Sequence, residues 1–117
     1  MKTIRGAITS ENTIEGIKEA TVELLSTILS ENRISQDEIL FANFSATKDI
    51  NKAYPAKFAR ECLNFSNVPM MCYQEMDVAG SLKKCIRVQI ITTSDIEDIK
   101  HIYLKGASSL RPDLSKK

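Results

Sequence analysis

The chain has 117 residues, of which 43% are hydrophobic and 26% are charged, and its formal net charge is +1. This composition is that of an ordinary globular protein, and we predict a single domain over residues 1–117. Acidic and basic residues alternate along the chain, which excludes a protein that binds nucleic acid or a membrane through a strongly basic segment.

The first predicted elements are a short strand and a long helix. The strand covers residues 3–8. Asn12, followed three residues later by Glu15, is typical of a helix N-terminus. Apolar residues then recur at helical spacing through about Glu31, which predicts the longest helix of the chain.

The remaining elements are four strands and a second helix. The strands are predicted over residues 39–46, 69–76, 84–93 and 101–104. The helix is predicted over residues 54–63, because the segment begins with a Tyr-Pro pair and proline is tolerated at the first helical position. The sequence therefore predicts a mixed α/β fold, in which two helices cover a sheet of four or five strands.

Three minor features complete the predicted organisation. The Ala-Gly-Ser segment at 79–81 marks a turn between the third and fourth strands. Ser94 and Glu97 are spaced to cap a short helical turn. The two lysines at 116–117 are expected to form a frayed tail.

The cysteines and the N-terminal segment indicate a cytoplasmic protein. Cys62, Cys72 and Cys85 are an odd number without CxxC spacing, which argues against a disulfide framework and against a zinc site. Free thiols fit a reducing compartment, and residues 1–20 lack the apolar run of a signal peptide. No phosphate-binding glycine motif occurs, and we expect no metal and no cofactor.

Arg87 is the residue whose position is most informative. It lies between Ile86 and Val88 in an apolar strand, where a guanidinium needs an anionic or strongly accepting partner. That partner is either an anionic ligand or a carboxylate of the same sheet, such as Glu75. Spacing alone favours the salt bridge.

Three further residues lie in predicted strands. Arg5 stands between Ile4 and Gly6, and either binds a ligand or reaches water from the end of its strand. Glu75 could accept a hydroxyl proton in a hydrogen bond, act as a base, or pair with an arginine. Tyr103 lies in a short apolar strand, and it either contacts a ligand or is a core tyrosine with a hydrogen-bonded hydroxyl.

The other candidate residues have common structural explanations. Lys57 and Arg60 share one face of the second helix, which is usually a solvated face. Arg111 lies near the C-terminus, where an exposed arginine usually has no specific role. Cys72 has no Cys-His-Asn arrangement to make it a nucleophile, and we interpret His101, the one histidine, as structural. Together the set suits binding of a small dianion without naming a reaction.

Four blocks of the sequence resemble the AroH class of chorismate mutases. They are IRGA at 4–7, YPAKFARE at 54–61, VPMMCYQEMDVAGSLKKCIRV at 68–88 and HIYLKGASSLRPDLS at 101–115. The order and spacing of the blocks match along essentially the whole chain. The CxQEMDVxGxLKKCIRV stretch and the RPDLS segment are the most specific of these motifs.

The resemblance implies an isomerase that converts chorismate to prephenate in the phenylalanine and tyrosine branch of aromatic biosynthesis. It implies a cytoplasmic homotrimer with a pseudo-α/β-barrel core, in which each active site lies in a cleft between neighbouring subunits. It also implies that the reaction uses neither metal nor cofactor.

The resemblance assigns catalytic roles by motif position. Arg87 would contact the ether oxygen of the breaking bond. Arg5 and Tyr103 would hold the carboxylate of the enolpyruvyl side chain. Glu75 would hold the ring hydroxyl, together with Cys72 as a substrate-binding residue.

Besides Cys72, the resemblance assigns five further substrate-binding positions around these groups. Lys57, Arg60 and Arg111 would surround the other carboxylate or guide substrate entry. Tyr54 and Leu110 would line the wall of the cleft. Because the cleft is shared, the site residues would come from two chains.

Several positions depart from the family pattern. Tyr54 stands where phenylalanine is common, Met71 replaces a small polar residue, and Ile8 replaces a threonine. None of these changes removes a charged group, so they affect the shape of the pocket more than the reaction. In addition, Cys72 and Glu75 have opposite parity, so a regular strand would point them to opposite faces.

Two alternatives remain open from the sequence. The first is an imine deaminase related to the RidA family, which shares the general trimeric architecture and holds a carboxylate with a cleft arginine. The second is a trimer of similar fold that binds a small metabolite without catalysis. The combination of Glu75, Cys72 and Tyr103 with two strand arginines favours the mutase.

Overall fold

The computed structural model describes residues 1–113. The helices and strands are, in chain order, β1 Lys2–Thr9, α1 Ile14–Asn32, β2 Ile39–Ala46, α2 Pro55–Leu63, β3 Met70–Gln74, β4 Cys85–Thr92 and β5 Ile102–Leu104. Two short 3₁₀ helices, Gln36–Glu38 and Lys105–Ser109, precede β2 and follow β5. The predicted tail at 116–117 lies outside the described residues, and the single domain over 1–117 stays a prediction.

The five strands form one mixed sheet in the order β3-β2-β4-β1-β5. The central strand β4 pairs antiparallel with β1 and with β2, whereas β3 pairs parallel with β2 and β5 pairs parallel with β1. Two helices and five strands confirm the predicted mixed α/β fold. Since β4 is central, the side chains of this strand lie in the middle of the sheet.

The strand boundaries agree with the sequence to within two residues, but the helical turn expected at Ser94 and Glu97 is wrong. The segment that contains both residues forms bends. The backbone N–H of Ser94 donates to Thr92 Oγ1 at 3.1 Å, and that hydroxyl donates to the carbonyl of Glu38 at 2.7 Å. Tertiary hydrogen bonds to the end of β4 therefore replace a local cap.

The start of α1 also differs from the sequence pattern by one residue. The N-cap is Thr13, whose Oγ1 accepts the backbone N–H of Gly16 at 2.9 Å. Asn12 instead donates from Nδ2 to Asn51 Oδ1 at 2.9 Å and accepts the Asn51 backbone N–H at 2.9 Å. The Asn12 side chain thus joins two loops and does not cap the helix.

The main hydrophobic core lies between the sheet and the two helices. Leu24 and Ile28 of α1 are fully buried against Ile86 and Ile90 of β4 in one cluster. Gly6 in β1 permits this close approach, because a Cβ atom at this position would lie 2.8 Å from Ile28 Cδ1. The helices consequently cover one face of the sheet and leave the other face without a helix.

A smaller cluster lies on the second face, near β5. Ala7, Cys85, Tyr103 and Ala107 are buried together, and Leu110 packs against them. Burial raises the pKa of the Cys85 thiol. We call this second face the open face, since it is covered only at this end. None of the helices among residues 1–113 is long and apolar enough to cross a membrane.

Candidate active site

A row of five residues crosses the open face from one edge of the sheet to the other. Strand register places Tyr73, Ser45, Arg87, Ala7 and Tyr103 side by side on β3, β2, β4, β1 and β5. Side chains in register share a face of the sheet. The small residues on both sides of Arg87 leave room around its guanidinium, and the two tyrosines close the row at its ends.

A second row runs parallel to the first, two residues further along the strands. It contains Met71, Asn43, Gln89 and Arg5. Beyond Arg5, the row ends at His101, whose Nδ1 accepts the backbone N–H of Arg5 at 3.0 Å. The two arginines therefore lie on the same face in adjacent rows.

His101 supports the strand that carries Arg5. Burial lowers the pKa of its imidazole, and the positive charges of Arg5 and Arg111 lower it further. A neutral ring can accept at Nδ1, which is the role this nitrogen has here. This geometry is consistent with the structural role predicted from the sequence.

Between the two rows lies a concave site that we call the open-face depression. Its volume is about 550 Å³, within the range of roughly 300 to 1,000 Å³ that is typical of small-molecule sites. The predicted site residues Arg5, Glu75, Arg87 and Tyr103 all line it. The structure thus brings together the four residues for which the sequence predicted catalytic roles.

Glu75 and Arg87 form an ion pair in which the charged groups are too far apart for a hydrogen bond. Glu75 Oε2 lies 3.8 Å from Arg87 Nε, and the two side chains are 31% and 41% exposed. Ser45 Oγ donates to the other carboxylate oxygen, Oε1, at 2.8 Å. Arg87 Nε is buried and has no hydrogen-bond partner among residues 1–113. The salt bridge that spacing alone favoured is present, but it leaves this guanidinium nitrogen without a hydrogen bond.

The C-terminal predicted residues lie near Tyr103. Tyr103 is buried, with 5% of its surface exposed, and Leu110 packs against the same cluster. Arg111 donates from Nε and Nη2 to the two carboxylate oxygens of Asp113 at 3.2 and 2.9 Å, which raises the Arg111 pKa. These residues border the open face at the β5 edge.

Three other predicted residues line a different concavity, which we call the α2 depression. Tyr54, Lys57 and Cys72 contribute to it, and its volume is also about 550 Å³. Tyr73 and Gln74 line both depressions, because they lie on the edge strand β3 between them. Within one chain, these seven predicted residues are therefore divided into two groups.

The parity argument about Cys72 and Glu75 agrees with this division. Cys72 packs toward the main core and lines the α2 depression, whereas Glu75 follows the end of β3 and lines the open-face depression. Burial raises the pKa of the Cys72 thiol, which disfavours the thiolate that a nucleophile needs. Arg60 is exposed on α2 and lines neither depression.

The sequence analysis did not select several polar residues that line the open-face depression, three of which lie on the central strands. Ser45 and Asn43 are on β2, and Gln89 is on β4. Strand parity could have identified Gln89, which shares a face with Arg87. Ser45 and Asn43 required the pairing of β2 with β4, which sequence spacing does not reveal. Among residues 1–113, no group of three or more His, Cys, Asp or Glu side chains could hold a metal ion.

The fold and the site together define a small α/β protein with a cationic, ligand-sized depression on the uncovered face of its sheet. Comparison with known proteins identifies its family. A model of type I chorismate mutases matches residues 1–114. The chorismate mutase AroH of Bacillus subtilis (strain 168) is 44% identical over 115 residues, which cover 96% of this chain and 91% of the relative.

Two further relatives agree with this match. The chorismate mutase AroH of Thermus thermophilus is 42% identical over 115 residues, which cover 95% of this chain and 93% of the relative. A solved chorismate mutase structure from Clostridium thermocellum superposes with a TM-score of 0.89 at 39% identity, covering 93% of this chain and 99% of that chain. The chain belongs to the type I chorismate mutase family.

The family match confirms three predictions made from the sequence. The resemblance to the AroH class, the fold class and the activity as an isomerase that converts chorismate to prephenate are all confirmed. A place in aromatic amino acid biosynthesis follows from that activity. The comparisons give no support to the imine deaminase or to the non-catalytic binding protein.

Proposed function

We propose that this protein rearranges chorismate to prephenate in the open-face depression, which the α2 depression of a neighbouring subunit completes. The observation that carries the proposal is the environment of the Arg87 side chain. Its guanidinium lies in the middle of a ligand-sized concavity, 3.8 Å from the Glu75 carboxylate, with Nε buried and without a hydrogen-bond partner among residues 1–113. The side chain as a whole is still 41% exposed, so the guanidinium can donate to an oxygen of an anionic substrate in this concavity.

The rearrangement is intramolecular and pericyclic, so it requires no nucleophile and no proton transfer. The protein has to hold a flexible dianion in its reactive diaxial conformation, which lowers the entropic part of the barrier. It also has to stabilise the charge that separates as the C–O bond stretches. A fixed cation at the ether oxygen does so, because it binds the transition state more strongly than the ground state.

Each charged or polar residue of the open-face depression has its own role in this mechanism. Arg87 donates to the ether oxygen as negative charge develops there. Glu75 accepts the hydrogen bond of the ring hydroxyl. Arg5 and Tyr103 hold the enolpyruvyl carboxylate, since both line the same depression. Removing one preorganised donor of this kind typically costs about 3 to 4 kcal/mol, so a few aligned donors are sufficient for catalysis.

The residues of the α2 depression bind the rest of the substrate from the adjacent subunit. Lys57 and Tyr54 of this depression provide a charge for the second carboxylate and a wall, and the exposed Arg60 of the same helix adds charge. Leu110 and Arg111, at the β5 edge of the open face, add a further wall and a further charge. Cys72 contacts the ring hydroxyl from the side opposite Glu75. The observation that supports this arrangement is the separation of the two groups in one subunit.

Apolar exposure on the open face supports a homotrimer. Phe41, Met71 and Tyr73 are 38%, 58% and 51% exposed, although they lie on strands of the sheet. Contiguous exposed apolar residues mark interaction surfaces. Chain association would bury them and would bring the α2 depression of one subunit against the open face of the next. Three thiols that are free of disulfides support a reducing, cytoplasmic setting.

The activity is tested with purified protein and chorismate. We expect the ultraviolet absorbance of chorismate to fall while prephenate forms, at the same rate with and without a chelator. The control is the Arg87→Ala protein, which should leave only the uncatalysed rate. Parent protein that leaves chorismate at the uncatalysed rate would overturn the proposed function.

A further inference from the structure

Ser45 occupies a place in the site that no role above explains. In the row across the open face, it is the neighbour of Arg87 on β4 and of Tyr73 on β3. Its Oγ donates to Glu75 Oε1 at 2.8 Å. The backbone N–H of Glu75 donates to the carbonyl of Ala46 at 2.9 Å. Glu75 is therefore attached to β2 twice, through its backbone and through its carboxylate.

This attachment determines how Glu75 meets Arg87. A carboxylate beside a guanidinium normally closes to a charge-assisted hydrogen bond of about 2.7 to 2.9 Å. Here the distance from Glu75 Oε2 to Arg87 Nε is 3.8 Å, which is an ion pair without a hydrogen bond. Both side chains are only partly exposed, so competition from solvent is reduced. The hydroxyl of Ser45 is bound to the other oxygen of the same carboxylate.

We propose that Ser45 is a positioning residue that holds the Glu75 carboxylate away from Arg87. The guanidinium donors then remain available to the oxygen of an anionic substrate, while the negative charge of Glu75 still keeps the pair balanced. This inference rests on the proposed function, because it explains how Arg87 stays ready for the ether oxygen.

The size of the residue at position 45 is part of the argument. Residues in register on neighbouring strands have Cβ atoms about 4.5 to 5.5 Å apart, so a longer side chain here would occupy the space around Arg87. Alanine would leave the space and remove the donor. Threonine would keep the donor and suits a strand. Comparing the two substitutions therefore separates the effect of the hydroxyl group from the effect of side-chain volume.

The first test compares the kinetics of Ser45→Ala and Ser45→Thr with those of the parent. We expect Ser45→Ala to lower kcat/KM about tenfold, the effect of one hydrogen bond to a charged group. Most of the loss should appear as a higher KM, because the released carboxylate competes with substrate for Arg87. Ser45→Thr should recover kcat/KM to within about threefold of the parent. Ser45→Ala with parent KM and kcat would overturn the inference.

Ser35→Ala is the matched control for this comparison. The Ser35 hydroxyl also bonds to a carboxylate, that of Asp37, in the 3₁₀ helix before β2 and away from both depressions. We expect kcat and KM of Ser35→Ala to equal those of the parent. A loss in Ser35→Ala as large as that in Ser45→Ala would contradict a role specific to Glu75.

The second test asks whether Ser45 acts through Glu75. The dissociation constant of a bicyclic dicarboxylate that mimics the transition state is measured for the parent, Ser45→Ala, Glu75→Ala and the double variant. We expect Ser45→Ala to weaken binding about tenfold in the parent but less than twofold when Glu75 is already alanine. An equal loss in both backgrounds would show a role independent of Glu75 and would overturn the inference.

The same dissociation constant, measured also for Arg87→Ala, separates this inference from the proposed function. If Arg87→Ala binds the mimic as tightly as the parent, the proposed site is wrong and the inference is overturned with it. If Arg87→Ala and Glu75→Ala lose binding while Ser45→Ala retains it, the proposed site stands and only the role of Ser45 is overturned.

Discussion

The role proposed for Arg87 depends on the residues next to it in the sheet. Ser45 and Ala7 are short, so a long cationic side chain between them faces a concavity. The even-numbered neighbours Ile86 and Val88 point to the core and fix the strand that carries it. The position of the charge is therefore set by packing on the opposite face of the same strand.

Lysine at position 87 tests whether the shape of the guanidinium matters. We expect Arg87→Lys to lower kcat on the order of 100-fold to 1,000-fold, because lysine lacks the planar arrangement of several donors. The unfolding temperature should stay within a few degrees of the parent value, since the side chain is 41% exposed. Steady-state kinetics and thermal unfolding measure the two effects.

Citrulline at the same position is the control for charge. It keeps the planar shape but is neutral, so the loss should exceed that of lysine if charge carries the stabilisation. Turnover within a few-fold of the parent for either variant would remove Arg87 from its central role.

At the scale of single residues, the sequence was sufficient for part of the site. Arg87 and Glu75 could be selected because charged residues in apolar strands need partners, although their catalytic roles came from the family resemblance. Ser45 could not be selected, because a serine in a strand is common and its partner Glu75 is 30 residues away. Only the pairing of β2 with β4 shows that Ser45 lies beside Arg87.

At the scale of elements, the start of β4 is anchored by the loop that follows β2. Asp49 accepts the backbone N–H of Lys84 through both carboxylate oxygens, at 3.0 and 3.1 Å. Lys84 has a φ of 53°, a left-handed conformation that needs support. Thr47 Oγ1 donates to Asp49 and accepts the Cys85 backbone N–H at 3.0 Å. These contacts fix the residues that lead into the strand of Arg87.

Replacing Asp49 with asparagine should weaken this anchor. The Thr47 hydroxyl first, and the Lys84 N–H after it, hold the pKa of the Asp49 carboxyl below its usual value. Its contribution to stability is therefore complete above the unfolded-state pKa of about 3.9 and is lost as the pH falls through the lower folded-state pKa. We expect Asp49→Asn to lower Tm by about 5 °C at pH 7.

The pH dependence provides the check on this prediction. Thermal unfolding from pH 7 to pH 3 should show the difference between parent and Asp49→Asn becoming smaller toward acid pH. Asp95→Asn is the control, because its exposed pair with the N-terminal amine should contribute little. A difference in Tm that grows toward acid pH would contradict the assigned role of Asp49.

The boundaries of elements could be predicted where one periodicity dominated. The range 39–46 predicted for β2 and the end of α2 at Leu63 agree with the structure. The errors at Asn12 and at Ser94 have a common cause. The Asn12 side chain bonds to Asn51, and the Thr92 hydroxyl that accepts from Ser94 bonds to the carbonyl of Glu38, and local spacing cannot report contacts with such distant segments.

At the scale of the whole molecule, the division of the site residues between two depressions could not be predicted from the sequence. The resemblance implied a shared cleft, but it did not say which residues belong to which half. The structure groups Arg5, Glu75, Arg87 and Tyr103 on one side of the edge strand and Lys57 with its neighbours on the other. This grouping makes the shared cleft testable without an assembled structure.

Mixing two inactive variants tests the shared cleft. Arg87→Ala removes the open-face half, and Lys57→Ala removes the α2 half. Each variant alone should have little activity, because all its sites carry the defect. In the proposed trimer, each assembly that contains both variants after unfolding and refolding together should have one intact site, formed by the open face of one chain and the α2 depression of another.

The expected result is activity that appears only when the two variants are refolded together. Separately refolded and then combined proteins are the control, since their subunits have not been exchanged. Refolded mixtures with no more activity than this control would contradict a site shared between chains.

The central claim is that a cation fixed in advance on β4 stabilises the polarised C–O bond of the substrate. A crystal structure with a bicyclic dicarboxylate mimic of the transition state tests it most directly. The account predicts the Arg87 guanidinium about 3 Å from the bridging ether oxygen, with Glu75 still bonded to Ser45 and facing the mimic's hydroxyl. A guanidinium turned away from that oxygen, or closed onto Glu75, would contradict it.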